Sequence, residues 1–126
     1  MIMAGKKILV VDDSPTQLKL TTAALQGQEY EIVTAMDGEE AMQKVQTDKP
    51  DLVVLDVVMP RMDGFQVCRK MKASPDMKHI PVIILTSKNQ KADEFWGKKQ
   101  GADFYLTKPF EEVKLQDAVT KGLARG

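Results

Sequence analysis

Short runs of uninterrupted Val, Ile and Leu recur along the chain, and between them apolar residues follow a helical spacing. Lys7–Asp12 (KILVVD), Asp51–Asp56 (DLVVLD) and Pro81–Thr86 (PVIILT) are apolar on consecutive positions. That pattern predicts strands covered on both faces, since a half-exposed strand alternates. Glu31–Ala35 and Phe104–Thr107 complete a set of five short strands. Ser14-Pro15 supplies an N-cap and an N1 proline for a helix to about Gln26, which Gly27 stops. Asp37 or Gly38 opens a second helix with Ala41, Met42 and Val45 on its apolar face, and Pro50 ends that connection. Val57–Gly64, with Pro60 and Gly64, is a loop. Phe65–Ala73, carrying Val67, Cys68 and Met71, is the third helix, and Ala92–Gln100, ended by Gly101, the fourth. The fifth runs from about Glu111 to Leu123, with Leu115, Ala118, Val119, Gly122 and Leu123 on one face. Strict alternation of five strands and five helices predicts an α/β, doubly wound (βα)5 architecture with a parallel sheet and helices on both faces.

At 126 residues this is one domain, and no linker interrupts it. Hydrophobic residues at 43% and charged residues at 29% are those of an ordinary globular domain. Eighteen basic residues offset eighteen acidic ones, which argues against a nucleic-acid binder working by bulk charge. Apolar runs such as Ile8–Val11 and Leu52–Leu55 are far short of the ~20 residues that span a bilayer, so no membrane insertion is expected. Met1–Gly5 has no secretory pattern and reads as a short N-terminal extension, which points to the cytoplasm. One cysteine, Cys68, and one histidine, His79, exclude a disulfide framework and make a zinc site within one chain very improbable.

Parallel sheets of this kind bind ligands beyond the carboxyl ends of their strands. There the first strand leads into Asp12-Asp13, the third ends in Asp56, the fourth in Thr86-Ser87, and the fifth leads into Lys108-Pro109. Taken singly these residues say little: Asp12 can open a turn, Asp56 can cap a segment, and Lys108 can be a solvated surface lysine. Together they place three carboxylates, a hydroxyl and an ammonium on one edge. Each like-charged pair at ~4 Å repels by about 4 kcal/mol at an effective dielectric of about 20, and one lysine does not cancel three negatives. A hard divalent cation does, and Mg²⁺ prefers oxygen ligands while leaving room for a phosphate oxygen. Mn²⁺ is an expected substitute. A backbone carbonyl just after Asp56, such as that of Val58, can add another oxygen. Thr86 and Lys108 can then hold a phosphoryl group against Asp56, a competent nucleophile toward phosphorus.

Four motifs occur in order: Val10-Val11-Asp12-Asp13-Ser14, Asp56–Gly64 (DVVMPRMDG), Pro81–Ser87 (PVIILTS), and Gly101-Ala102 leading to Tyr105–Phe110 (YLTKPF). The chain resembles the receiver domains of two-component response regulators, most of all the single-domain CheY-like type, from Lys6 to about residue 124. The resemblance implies a flavodoxin-like sheet of order 2-1-3-4-5. It implies that Asp56 accepts a phosphoryl group from a histidine kinase or phosphotransfer domain. Asp12, Asp13, Asp56 and the Val58 carbonyl would hold Mg²⁺, with Thr86, Ser87 and Lys108 on the phosphoryl oxygens. Thr86 and Tyr105 would form the switch, altering the face of the fourth helix, fifth strand and fifth helix where an output protein binds. Lys108-Pro109 would be a cis bond. No output domain is expected. Without the resemblance, Tyr105 would be read as packing.

The segment Trp96–Gly101 (WGKKQG) is similar to regulators of the twitching-motility PilG/PilH type. Gly97 inside a helix suggests close approach to the sheet, with Trp96 packed partly at the boundary; the other reading puts Trp96 on the outer face, beside Lys98 and Lys99, as a partner anchor. Lys88, Lys91, Lys98 and Lys99 form a solvated face that can steer an acidic partner. Val58 and Lys88 flank the phosphate site and are expected to set the aspartyl-phosphate lifetime. Met59 and Met62 are expected to offer a flexible contact surface beside Asp56. Two other functions compete: a phosphorylation-independent scaffold, and a haloacid-dehalogenase-like phosphatase. The latter usually carries Asp-x-Asp, whereas the second residue after Asp56 is Val58.

Overall fold

The computed structural model describes residues 5–125. Its elements alternate as β1 (Lys7–Val11), α1 (Pro15–Leu25), β2 (Glu31–Ala35), α2 (Gly38–Asp48), β3 (Leu52–Leu55), α3 (Gly64–Ala73), β4 (Val82–Thr86), α4 (Lys91–Lys99), β5 (Phe104–Thr107) and α5 (Glu112–Arg125). All four pairings are parallel, and the sheet order is β2-β1-β3-β4-β5. Of the expected N-terminal extension, residues 1–4 lie outside the described residues.

Consecutive apolar residues in the central strands serve two cores, because successive side chains point to opposite faces. Leu9, Val11, Val53, Leu55, Val82 and Ile84 meet Ala41, Val45, Val67 and Met71 from α2 and α3. Ile8, Val10, Leu52, Val54, Ile83 and Leu85 meet Ala24, Leu25, Leu115 and Val119 from α1 and α5. This double burial explains the unbroken apolar runs.

Caps set the helix starts that face the strand ends. Ser14 accepts the Gln17 amide at 3.3 Å with Pro15 next to it, and Asp37 accepts the Glu40 amide at 2.7 Å. Asp63 and Gln66 form a capping box, with reciprocal bonds of 2.9 and 3.0 Å. Several boundaries differ by a residue from the sequence-based ones. Asp51 and Pro81 still take part in the ladder, through Asp51 N–H to Lys7 C=O (2.8 Å) and Val53 N–H to Pro81 C=O (3.0 Å), but fall outside the regular strands. Lys49, not Pro50, ends α2, in a left-handed conformation with φ 48°.

Candidate functional site

The chain turns away from the sheet immediately after strands β1 and β3, and both turns are pinned by one last backbone bond. The Asp12 amide donates to Ala35 C=O at 3.1 Å, and the Asp56 amide donates to Val11 C=O at 3.0 Å. Neighbouring strand ends therefore carry the two aspartates side by side. Asp12 and Asp56 are buried, at 3% and 8% exposure, while Asp13 is exposed. One carboxylate oxygen from each of the three lies within 4.8 Å of the others.

Each buried carboxylate has local donors. Asp12 Oδ1 accepts the Ser14 amide at 2.9 Å, and Asp56 Oδ1 accepts the Val57 amide at 2.7 Å and the Val58 amide at 3.4 Å. Lys108 reaches in from the end of β5, its ammonium 2.5 Å from Asp12 Oδ2 and 3.5 Å from Asp56 Oδ2. It is a half-buried partner of the acids rather than a solvated surface lysine. Its own amide donates to Thr86 C=O at 2.8 Å, which ties the β5 end to the β4 end. Lys108-Pro109 is a cis peptide bond. The site opens into a cleft of 650 Å³ bordered by Asp13, Val58, Ser87 and Phe110, with Val58 half-exposed.

Three carboxylates against one ammonium leave an excess of negative charge in a partly desolvated cluster. Hard oxygen donors, two buried and one facing the cleft, are the donor set that Mg²⁺ takes while keeping some of its waters. The residues present fit such an ion, and the same ion would make the cleft accept a phosphate.

Thr86 is fully buried, and its Oγ1 accepts the Lys88 amide at 3.4 Å. Tyr105 is half-buried, and its hydroxyl donates to Lys88 C=O at 2.8 Å. Lys88 thus touches both expected switch residues through its backbone. Burial first, then the Asp93, Glu94 and Asp56 carboxylates, push the Tyr105 phenol up to about 12.

Sequence reasoning missed three things here. The Lys88 backbone link depends on loop geometry and has no side-chain signal. Gly64 opens α3 directly against the site: a Cβ there would lie 2.1 Å from Asp56 C=O. The Asp63-Gly64 pair was its visible trace. Met59 does not offer a contact surface; it is buried at 8% exposure in the core shared with α2 and α3, and Met62 packs against that core. Both turn inward because the loop lies against the α2 N-terminus, where Met62 C=O would be 2.6 Å from a Cβ on Gly38. Arg61, with φ 66°, points outward, and its guanidinium lies 3.7 Å from Asp37.

On α4, Gly97 is buried against the sheet as expected, and Trp96 is half-exposed. Phe95 is still more exposed, with the Lys99 ammonium 5.5 Å from its ring centroid, and Lys98 pairs with Glu94 at 3.3 Å. Lys88, Lys91, Lys98 and Lys99 are all exposed.

This sheet order, with an acidic trio and a lysine gathered at the strand ends, defines the response regulator receiver domain. The chain belongs to that family, which it matches over residues 8–120. It is 42% identical to protein PilH of Pseudomonas aeruginosa over 118 residues, covering 94% of this chain and 98% of PilH. It is 46% identical to response regulator PleD of Caulobacter vibrioides over 109 residues, 86% of this chain but only 24% of PleD. The receiver domain of the sensor histidine kinase PA1611 from P. aeruginosa superposes with a TM-score of 0.87 at 27% identity, covering 96% of this chain and 99% of that one. That structure has a magnesium ion coordinated in its active site cleft. Family membership does not favour the phosphatase or the scaffold reading. Among the described residues no helix is long and apolar enough to cross a membrane.

Proposed function

We propose that this chain is a phosphorylation-controlled binding switch whose phosphoacceptor is Asp56. The observation that carries it is the convergence of Asp12, Asp13 and Asp56 within 4.8 Å, with Lys108 bonded into the cluster. Asp12, Asp13, Asp56 and the Val58 carbonyl would hold Mg²⁺, or Mn²⁺ in its place. When bound, such an ion would supply the positive charge that lets the carboxylates and phosphoryl oxygens share one site.

The donor is a phosphohistidine of a histidine kinase or phosphotransfer domain. An Asp56 carboxylate oxygen forms the new P–O bond as the P–N bond of the phosphoimidazole breaks, and the imidazole leaves with the electron pair and takes a proton from solvent. Lys108 turns from the acids to the phosphoryl oxygens, and Thr86 and Ser87 donate to them from the opposite side. Movement of Thr86 shifts the Lys88 backbone and with it Tyr105, altering the α4–β5–α5 face. An output protein binds there, with Trp96, Lys98 and Lys99 as its outer contacts. Val58, on the border of the cleft, and Lys88, next to Ser87 in the chain, tune the lifetime of the phosphoryl group.

The match to PilH over nearly its whole length supports reading residues 6–124 as the receiver, for which we propose action by protein contact in the cytoplasm. The test is intact mass after incubation with acetyl phosphate and Mg²⁺, beside an Asp56→Asn variant. One added phosphoryl group, dependent on Mg²⁺ and absent from the variant, is expected. No uptake from acetyl phosphate or from a histidine kinase would overturn the reading.

A further inference from the structure

Helix α4 spans Lys91–Lys99 and carries a glycine in its interior, where glycine weakens a helix relative to alanine. Gly97 is buried, and the space its side chain would fill is taken. An ideal Cβ at that position would lie 2.9 Å from both Cδ2 and Cε2 of Tyr105, and 3.2 Å from Ile84 Cδ1. The first two distances are shorter than packed carbons tolerate. Ile84 is fully buried in the core and has nowhere to go. Tyr105 is half-buried on the edge strand β5, so its ring can turn toward solvent. A side chain at position 97 would therefore move the ring rather than the core.

The ring's position decides a hydrogen-bond chain. Its hydroxyl reaches Lys88 C=O at 2.8 Å, and the Lys88 amide reaches Thr86 Oγ1 at 3.4 Å. We propose that Gly97 is the seat of the Tyr105 ring: its missing side chain lets the ring settle against α4, and this seating closes the link from Tyr105 through the Lys88 backbone to Thr86. Gly97 is a positioning residue that acts through Tyr105 and touches neither the acids nor the cleft. The glycine thereby sets how readily the ring-in state forms. Its meaning for signalling rests on the switch proposed above; the seat itself does not.

The test is Gly97→Ala in the full chain, without a phosphodonor. The sequence has two tyrosines, so a Tyr30→Phe background isolates Tyr105. With 3-fluorotyrosine, the fluorine resonance of Tyr105 is expected to move to its solvent-exposed position. In unlabelled protein, ultraviolet titration of the phenol is expected to fall from about 12 toward its ordinary 10.0. The melting temperature should equal or exceed that of the parent, since alanine favours the helix. An unchanged resonance and titration would overturn the proposal. If Gly97→Ala does not fold, the Gly97→Ala, Tyr105→Ala double variant decides: recovery of folding supports the seat, and continued failure assigns the glycine to core packing and overturns it. Phosphoryl uptake at Asp56 is scored separately by intact mass, so a failure of the receiver chemistry is distinguishable from a failure of the seat.

Discussion

Asp13 is the exposed member of the acidic trio, and its single charge acts in two directions. With the ion bound it is an attractive ligand; with the ion absent it repels two buried neighbours. Asp13→Asn is therefore expected to weaken Mg²⁺ binding by about tenfold, equivalent to about 1.4 kcal/mol, in a calorimetric titration. The same variant should melt a few degrees higher in chelator, since the repulsion is relieved. Tyr105 makes a second residue-scale case. Its phenol ionises at about 12 in the folded chain against an ordinary 10.0, with burial as the main cause. A raised folded value means that the neutral form is favoured by folding. Its contribution is fully present below pH 10 and is lost as pH rises through 12. Cys68, pushed from 9.0 to about 12 by burial, acts with the same sign and begins earlier. Tyr105→Phe should flatten the part of the alkaline decline between pH 10 and 12 in urea unfolding, and leave the Cys68 part in place.

Among the elements, the junction of β3 and α3 is the most constrained. Gly64 caps the turn with its amide on Val57 C=O at 3.0 Å, and its Cα faces the Asp56 carbonyl. Gly64→Ala forces backbone against backbone, where no flexible side chain can yield. A loss of about 3 kcal/mol in urea unfolding is expected, together with loss of phosphoryl uptake by intact mass. This junction also marks how far sequence reasoning reaches. The strands were legible because runs such as Val53-Val54 and Ile83-Ile84 have no polar face, and the helix starts at Ser14 and Asp37 because their chemistry is local. The acidic trio, Thr86 and Lys108 were legible as residues at strand ends. Their mutual bonds were not, since Lys108 choosing Asp12 over Asp56 depends on side-chain geometry across the sheet. The left-handed turns at Lys49 and Arg61 were hidden because neither is glycine. Met59 was misread because a loop's inner and outer sides are set by what it packs on, here the start of α2.

For the whole molecule, one sheet divides two cores, and neighbouring residues of β4 belong to different ones. Ile84 belongs to the core on the α2 and α3 side of the sheet, and Ile83 to the core on the α1 and α5 side. Ile83→Val and Ile84→Val should each cost about 1 kcal/mol in urea unfolding. Their double variant should add within about 0.5 kcal/mol despite adjacency in sequence, because the two side chains share no partners. A large coupling would show that the sheet transmits strain between its faces.

Lys108 and Asp12 stand 96 residues apart in the chain and touch in the folded molecule. A cut in the exposed stretch near Pro75-Asp76, between α3 and β4, would leave Asp12, Asp13 and Asp56 on one fragment and Thr86 with Lys108 on the other. Neither fragment would carry the chemistry, and only their reassembly along the β3–β4 edge would restore it. The acceptor would then serve as its own reporter of complementation, with phosphate capture measuring how well two halves find each other.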